Sequence, residues 1–430
     1  MSVRWLRAII CALLIIAIIG NVFCAEASGD IRIIVKLQTG ALIGPVLVLL
    51  GADLLDSIPS VNLYLLRVPS VPVLTFVLQL LGVLYIENDT TLNNPTFQNT
   101  GLLVTTSAPD FYRMQPALTL VRDDQATAFY DGYGVTVADI NSAVDSSHPA
   151  LQGHLTAGYD FVAAQGPTYA QLNESSSSFL DESSSSFLDQ SSGQPIDPAT
   201  AGFLTESTSS FLDNGLPLGL ISGPNVAYGH GTMVAGVIAA VAPRAMVMPL
   251  RVFDDNGRAD AFTITKAIYY ATNNGANVIN MSFGMNGTSR SVQDAITGAA
   301  NANLTIVGSA GNANSEVKQY PAGYSQVISV AATDIQDKKA NFSNYGLSID
   351  VSAPGVNIIS AYPGGYYVMA SGTSFSSPIA AGDAALVRSK QANGVRTAVN
   401  NGTVNINAGN PAYWGKLGTG RVDVMKAIGH

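Results

Sequence analysis

SGTSFSSP, Ser371 to Pro378, reads as a chain that turns sharply into a helix. Gly372 permits the close turn, Thr373 and Ser374 suit a helix start, and Pro378 fits a first helical turn, where its missing N–H costs nothing. A helix start carries unpaired amide protons and partial positive charge. The hydroxyl of Ser374 would therefore stand beside a ready site for the anion formed when an oxygen attacks a carbonyl. Ser, Thr and Gly are also ordinary capping residues, so this stretch alone leaves a nucleophile and a plain helix cap as alternatives.

The segments around it decide the fold class. GVTVADI (Gly134 to Ile140), NVINMSFG (Asn277 to Gly284), LTIVGSAGN (Leu304 to Asn312), VISVAAT (Val327 to Thr333) and IDVSAPG (Ile349 to Gly355) have the apolar, β-branched character of buried strands. Helical patterns alternate with them at Gly231 to Ala240, Ala261 to Asn273, Ser291 to Asn301 and Phe375 to Lys390. That alternation predicts an α/β domain with a mainly parallel sheet covered on both faces. Sites in such sheets lie at the carboxyl ends of the strands, where Asn141, Ser282, Gly284 and Asn312 all fall.

Two blocks precede this domain. Residues 1–27 carry Arg4 and Arg7, an apolar run from Ala8 to Ile19 and the small-x-small triplet Ala25-Glu26-Ala27, a signal-peptide pattern that predicts export. The apolar run is short for a membrane span, so no stable span is expected in the mature form. Residues 28–107 contain the strand-like IRIIVKL (Ile31 to Leu37), NLYLLRV (Asn62 to Val68) and GVLYIEND (Gly82 to Asp89), with apolar segments between them that suit helices. They predict a small α+β domain, followed by a linker from Asp89 to Pro109 and the main domain over 108–430. One insert interrupts that domain, at about 171–215: ESSSSFLD occurs at Glu174 to Asp181 and Glu182 to Asp189, and ESTSSFLD at Glu206 to Asp213. Its low apolar content predicts a flexible loop, with a substrate-gating or docking element, through its Phe-Leu pairs, as the alternative.

Composition narrows the chemistry. A chain of 430 residues, 47% hydrophobic and 12% charged, can bury a large core. Its net charge of −9, with no basic cluster, argues against nucleic acid as a partner. Both cysteines, Cys11 and Cys24, lie in the targeting segment, which excludes thiol nucleophiles and thiolate metal sites from the mature chain. A serine nucleophile needs a base, and there are four histidines. His148 in SSHP and the terminal His430 read as surface groups, and His154 lies in a polar stretch. His230 stands apart in YGHGTMVAGVIAAVAP, between glycines that permit close backbone approach and before the small residues of a buried helix.

Together GHGTMVAGVIAA, NMSFG, GSAGN and SGTSFSSP, in this order, resemble the motifs of the subtilisin-like serine proteases. The front block resembles the inhibitory propeptide of that family, and GTGRVDVMKAI (Gly418 to Ile428) its closing segment. The resemblance implies a three-layer α/β fold and a serine endopeptidase made as a propeptide-inhibited zymogen. It implies Ser374 as nucleophile, His230 as general base, Asn312 as a side-chain donor to the oxyanion, and the main chain of Ser282, Phe283 and Gly284 as the edge along which an extended peptide pairs. Polypeptide substrates and the chain's own propeptide are the partners expected of a monomer. The chemistry requires no cofactor or metal; the family often carries structural Ca²⁺, but no loop here can be assigned to it. Propeptide removal is expected near residues 105 to 125.

The third catalytic member departs from the family pattern. Where an Asp is expected in a phrase like VIDTGVD, this chain has ADINSAVD, with Asn141 at the Asp position and Asp139 two residues earlier. On a strand the two share a face but lie about 6.6 Å apart. Three readings stand open. Asp139 reaches His230 through a local shift; or Asn141 orients His230 through its amide oxygen with Asp139 hydrogen-bonded behind it; or the enzyme is crippled, since the equivalent Asp-to-Asn change in another serine protease costs about 10⁴ in rate. The last reading makes the chain a peptide-binding protein on a protease fold. Asp145 reads as a turn residue and Met233 as packing.

Overall fold

The computed structural model describes residues 31–70, 75–93, 98–99, 112–163, 229–254, 257–285 and 287–430. The targeting segment and the Ser-rich insert lie outside these. The described chain divides into two compact units, one of residues up to Thr90 together with Ser289–Ser291, the other comprising the remainder.

The first unit has the expected α+β character. Strands β1 (Ile31–Leu37), β2 (Asp53–Ile58), β3 (Leu63–Val68) and β4 (Val83–Asn88), with helices α1 (Ile43–Leu50) and α2 (Thr75–Leu80), build an antiparallel sheet in the order β2-β3-β1-β4. Alternate residues Ile33, Val35 and Leu37 of β1 pack with Val46, Leu66 and Leu78 in one core. Strand β2 was not foreseen: its run DLLDSI lacks the period-2 alternation of a half-buried strand, and it forms by pairing with β3 at the sheet edge.

In the second unit the segment expected to be linker contributes two short strands, β5 (Thr91–Asn93) and β6 (Gln98–Asn99). Further along the chain come β7 (Thr136–Asn141), β8 (Tyr159–Asp160), α3 (His230–Val241), β9 (Met246–Arg251), β10 (Arg258–Asp260), α4 (Ala261–Asn273) and β11 (Val278–Met281). Then follow α5 (Arg290–Asn301), β12 (Thr305–Ser309), β13 (Val327–Thr333), β14 (Val351–Pro354), β15 (Ile358–Tyr362), β16 (Tyr366–Ser371), α6 (Thr373–Lys390), β17 (Thr403–Val404) and β18 (Arg421–Val422). Nine strands form one sheet in the order β17-β18-β14-β13-β12-β11-β7-β9-β8, parallel except where β17 meets β18. Helices cover it in a three-layer α/β arrangement, as the alternating pattern implies.

Helix α6 is the hub of this unit. Every residue from Thr373 to Val387 is buried, and the helix packs on β11 to β14 and on α3. Because α6 begins at Thr373, Pro378 lies beyond the first turn where the sequence placed it. A proline there withholds the N–H that would bond the carbonyl of Ser374. The Ser282 hydroxyl donates to that carbonyl instead, at 3.0 Å.

One polar residue of α6 is out of keeping with its surroundings. Asp383 is fully buried, and among the described residues neither of its carboxyl oxygens has a hydrogen-bond partner. Burial first, and then the charge of Asp423, raise its pKa well above the usual carboxylate range. Asp383 is therefore neutral in the fold but ionises in the unfolded chain above about pH 4. Its contribution to stability is complete below that pH and is lost as pH rises toward the folded-state value, at about 1.4 kcal/mol per pH unit. Thermal unfolding at pH 4 and pH 8 should show Asp383→Ala several degrees more stable than the natural chain at pH 8, with the gain absent at pH 4. A gain independent of pH would mean that Asp383 is not held neutral.

Candidate active site

The amino end of α3 is pressed onto the residues that follow β7, and two glycines allow it. Gly229, at φ +79°, adjoins the ring of Tyr362, and a Cβ there would lie 2.3 Å from a ring carbon. A Cβ on Gly231 would lie 2.6 Å from the carbonyl oxygens of Ser142 and Ala143. This approach seats the fully buried His230 against Asn141, with Nδ1 2.7 Å from the amide oxygen.

The orientation of that amide follows from its other neighbours. Asn141 Oδ1 also accepts from the backbone N–H of Ser142 at 2.8 Å, a group that can only donate. The NH₂ then faces the carboxylate of Asp139, with Nδ2 at 3.3 and 3.4 Å from its two oxygens. An oxygen facing His230 obliges Nδ1 to carry the proton, which leaves Nε2 as the basic nitrogen. Asn141, not Asp139, touches His230; Asp139 stands one group behind.

Sheet register supplies the next partner. Asn280 of β11 is paired with Asp139 of β7, and its Nδ2 donates to Asp139 Oδ1 at 2.9 Å and to Ser282 Oγ at 3.0 Å. Ser377 of α6 donates to Asn280 Oδ1 at 2.7 Å. Ser374 Oγ donates to the carbonyl of Ser282 at 3.2 Å. A continuous buried network thus runs from His230 through Asn141, Asp139, Asn280 and Ser282 to Ser374. Burial lowers the His230 pKa to about 4. Burial also pushes Asp139 up to about 7, against the opposing hydrogen bonds from Asn280 and Asn141.

Asn312 lies in the loop after β12, beside the start of α6. Its Oδ1 accepts from both the N–H and the hydroxyl of Thr373, at 2.9 and 2.8 Å, and its Nδ2 lies 3.5 Å from where a Cβ on Gly372 would sit. With the amide oxygen held by Thr373, the NH₂ is turned toward the N-terminus of α6. Asn344 braces the same loop, accepting from the N–H groups of Ala313 and Ser315 at 3.0 and 3.1 Å and donating to the carbonyl of Ala310 at 2.9 Å. The sequence reading passed over Asn280, Thr373, Ser377 and Asn344. Asn280, Thr373 and Ser377 lie inside or next to the quoted motifs, but Asn344 carries no local signal.

Ser282 and Phe283 are buried, and Gly284 is half-buried. The Ser282 side chain is turned inward to Asn280 and the Ser374 carbonyl, so what the segment can present outward is main chain. Strand β5 pairs antiparallel with β10, and β6 pairs antiparallel with Ala370 and Ser371 of β16, just before Ser374.

Of the two histidines expected at the surface, one is found there and one is not. His148, expected at the surface, is fully buried. Its Nε2 lies 2.8 Å from the carbonyl of Tyr366, its Nδ1 accepts from the Ala150 N–H at 3.1 Å, and its ring meets Tyr367 edge-on. His430 is exposed as expected and stacks on Phe129. Met233 is buried packing, and Asp145 is the turn residue expected, its carboxylate accepting from Ser147 and from the N–H of Gly364. Among the described residues no group of three or more His, Cys, Asp or Glu is disposed to hold a metal ion. No helix of the described residues is long and apolar enough to cross a membrane.

Comparison with known proteins gives concordant matches. The model of the subtilase family matches residues 132–411. Thermitase of Thermoactinomyces vulgaris is 32% identical over 336 residues, covering 75% of this chain and 99% of thermitase. The thermostable alkaline protease of Halalkalibacterium halodurans is 44% identical over 171 residues, covering 38% of this chain and 47% of its own. Subtilisin BL of Lederbergia lenta is 39% identical over 171 residues, 38% of this chain and 64% of its own. Among solved structures, fervidolysin from Fervidobacterium pennivorans, described as a keratinolytic enzyme related to subtilisin, matches in fold with a TM-score of 0.68 at 21% identity, covering 95% of this chain and 62% of that one.

Proposed function

The chain belongs to the subtilase family of serine endopeptidases, and we propose that it cuts peptide bonds through Ser374, His230 and Asn141, after export as a self-inhibited precursor. The observation that carries the catalytic assignment is the 2.7 Å contact of His230 Nδ1 with an Asn141 oxygen that Ser142 and Asp139 keep from turning away.

A substrate strand lies along the main chain of Ser282 to Gly284 with its carbonyl carbon over Ser374 Oγ. At rest that hydroxyl donates to the Ser282 carbonyl, and binding redirects it to His230 Nε2, a tightening common as sites fill. Attack forms the C–O bond while the hydroxyl proton passes to Nε2. The carbonyl oxygen takes the negative charge and accepts from Asn312 Nδ2 and the Ser374 N–H. Collapse breaks the C–N bond, and His230 returns its proton to the leaving amine. Water then attacks the acyl-enzyme by the same route, giving a carboxylic acid and free Ser374. Throughout, Asn141 accepts from Nδ1–H and Asp139 acts as a positioning residue, its charge opposing that of the imidazolium through the amide.

Two ionisations then shape the pH profile. Protonation of His230 removes the base, so activity falls as pH drops through about 4. Ionisation of Asp139, near 7, strengthens its hold on the Asn141 NH₂, so activity rises again as pH climbs through that range. The step is about fivefold, the difference of about 1 kcal/mol between hydrogen bonds to charged and neutral groups. Asp139→Asn should abolish the step near 7 and leave the limb near 4. A step that survives in Asp139→Asn would assign it to another group.

The precursor reading has its support in β5 and β6. One pairs with β10 and the other with Ala370 and Ser371 just before Ser374, so the front segment of the chain is held along the strand that leads to its own nucleophile. This moves the proposed cut from residues 105 to 125 to a bond between Asn93 and Gln98. Export rests on the composition of residues 1–27. Mass analysis of the natural chain over time should show loss of the residues before one of these bonds together with digestion of casein, and Ser374→Ala should do neither. Natural and Ser374→Ala chains that stay equally whole and inert would return the peptide-binding reading.

A further inference from the structure

We propose that Lys339 is a positioning residue for the oxyanion donor: its ammonium fastens the loop after β13 to the loop after β12, and so holds Asn312 where the developing charge needs it. This rests on the protease reading and adds a residue to its machinery. Strands β12 and β13 are neighbours in the sheet and run parallel, so the loops that leave their carboxyl ends start side by side. The first carries Asn312. Along it the Asn344 N–H of the second loop donates to the Gly311 carbonyl at 2.9 Å, the Tyr345 N–H donates to the Ser315 carbonyl at 3.1 Å, and the Asn314 N–H donates back to the Phe342 carbonyl at 2.7 Å. With the Asn344 side chain bonded to Ala310, Ala313 and Ser315, the residues on both sides of Asn312 are held by residues 342–345.

Lys339 holds that second loop in turn. Its Nζ donates to the carbonyls of Ala340 and Ser343 at 2.8 and 2.9 Å, and across to Asn314 Oδ1 in the first loop at 2.8 Å. An ammonium has three protons, and all three are used. The rings of Tyr413 and Tyr345, which meet edge-on, cover it with their centroids at 4.8 and 5.2 Å, a cation–π arrangement. The Ser343 carbonyl belongs to the same peptide unit as the Asn344 N–H, so one line of hydrogen bonds runs from Lys339 through that peptide to the Gly311 carbonyl, next to Asn312. The contact with Asn314 fixes the other side. A charged donor at the head of such a line strengthens the bonds that follow it.

The tie is sensitive to pH. Lys339 is half-buried, and burial lowers its pKa to about 8. The charged groups on the loops around it are engaged elsewhere. Glu316 and Lys416 are ion-paired with each other, Lys338 donates to the Gly409 carbonyl, Asp337 pairs with Arg421, and Asp334 accepts the N–H groups of Gln336 and Lys338. Among the described residues none of them pairs with Lys339. As pH rises through about 8 the ammonium gives up its charge, and three acceptors are left facing an amine with two N–H groups. The oxyanion exists only in the transition state, so a loosened Asn312 lowers kcat and leaves KM in place. The pH profile therefore gains an alkaline limb beyond the two that His230 and Asp139 set.

The test uses the full chain, allowed to process, in the natural sequence and as Lys339→Met and Lys339→Arg, with casein and a peptide anilide as substrates. In the natural enzyme kcat for the anilide should fall about tenfold between pH 7 and pH 10 at constant KM, a part of the roughly 10²–10³ lost when an oxyanion donor is removed outright. Lys339→Met should show the lowered kcat already at pH 7 and no alkaline limb. Lys339→Arg, whose guanidinium stays charged, should keep most of kcat at pH 7 and carry it past pH 8. A natural enzyme whose kcat stays level from pH 7 to pH 10 would overturn the proposal even if neither variant folded. So would a limb near 8 that persists in either variant, or a Lys339→Met with the natural kcat at pH 7. Failure of the natural chain to cut casein or the anilide would instead overturn the protease reading itself, and this proposal with it.

Discussion

The proposed catalytic geometry depends on which way one amide faces. Asn141 stands where a carboxylate would serve without question, and an amide has a wrong orientation available to it: turned over, its NH₂ would donate to His230 Nδ1 and move the imidazole proton to Nε2, where it disables the base. Two neighbours oppose the turn. The Ser142 N–H would be left facing another donor, and the Asp139 carboxylate would face an oxygen. Each buried group so mismatched costs about 1–3 kcal/mol. The amide therefore keeps the tautomer that a carboxylate would impose, without placing a charge against the ring.

What it does not replace is the charge itself. His230 sits in a fully buried setting that disfavours the imidazolium, and the only carboxylate in its line of hydrogen bonds is one residue removed. The register of β7 against β11 and the packing of α6 keep that carboxylate in place, because Asn280 bonds it from the side and Ser377 holds Asn280 from below. The same network reaches Ser282, whose hydroxyl satisfies the carbonyl left over by Pro378. The apparent fault in α6, a proline past its first turn, is thus part of how the backbone of Ser374, the proposed nucleophile, is tied to Ser282.

Much of this was legible in the chain alone, and the rest had physical reasons not to be. Ser374, His230 and Asn312 stand in short runs whose glycines and small residues announce close backbone approach. The parallel sheet announced itself through two-sided apolar strands. Asp139 and Asn141 could not be ranked, because alternation puts both on one face of β7 and only the approach of α3 decides which meets the histidine. His148 was misread because SSHP has the composition of an exposed turn, whereas its burial comes from the β15–β16 hairpin more than two hundred residues later. Lys339 and Asn344 sit in a loop with no periodicity, and their places follow from which loops the sheet order brings together. Strand β9 was passed over, its Pro249 being a residue that ordinarily speaks against a strand with neighbours on both sides.

The account turns on the proton of His230, and nitrogen NMR of the imidazole reads it directly. In Ser374→Ala protein labelled with ¹⁵N at histidine, with the signal assigned by comparison with His230→Gln, the account predicts at pH 8.5, where Asp139 is ionised, a neutral ring protonated at Nδ1 and bare at Nε2. A neutral ring protonated at Nε2 would mean that Asn141 has turned its NH₂ to the histidine, and would contradict the catalytic role assigned to it.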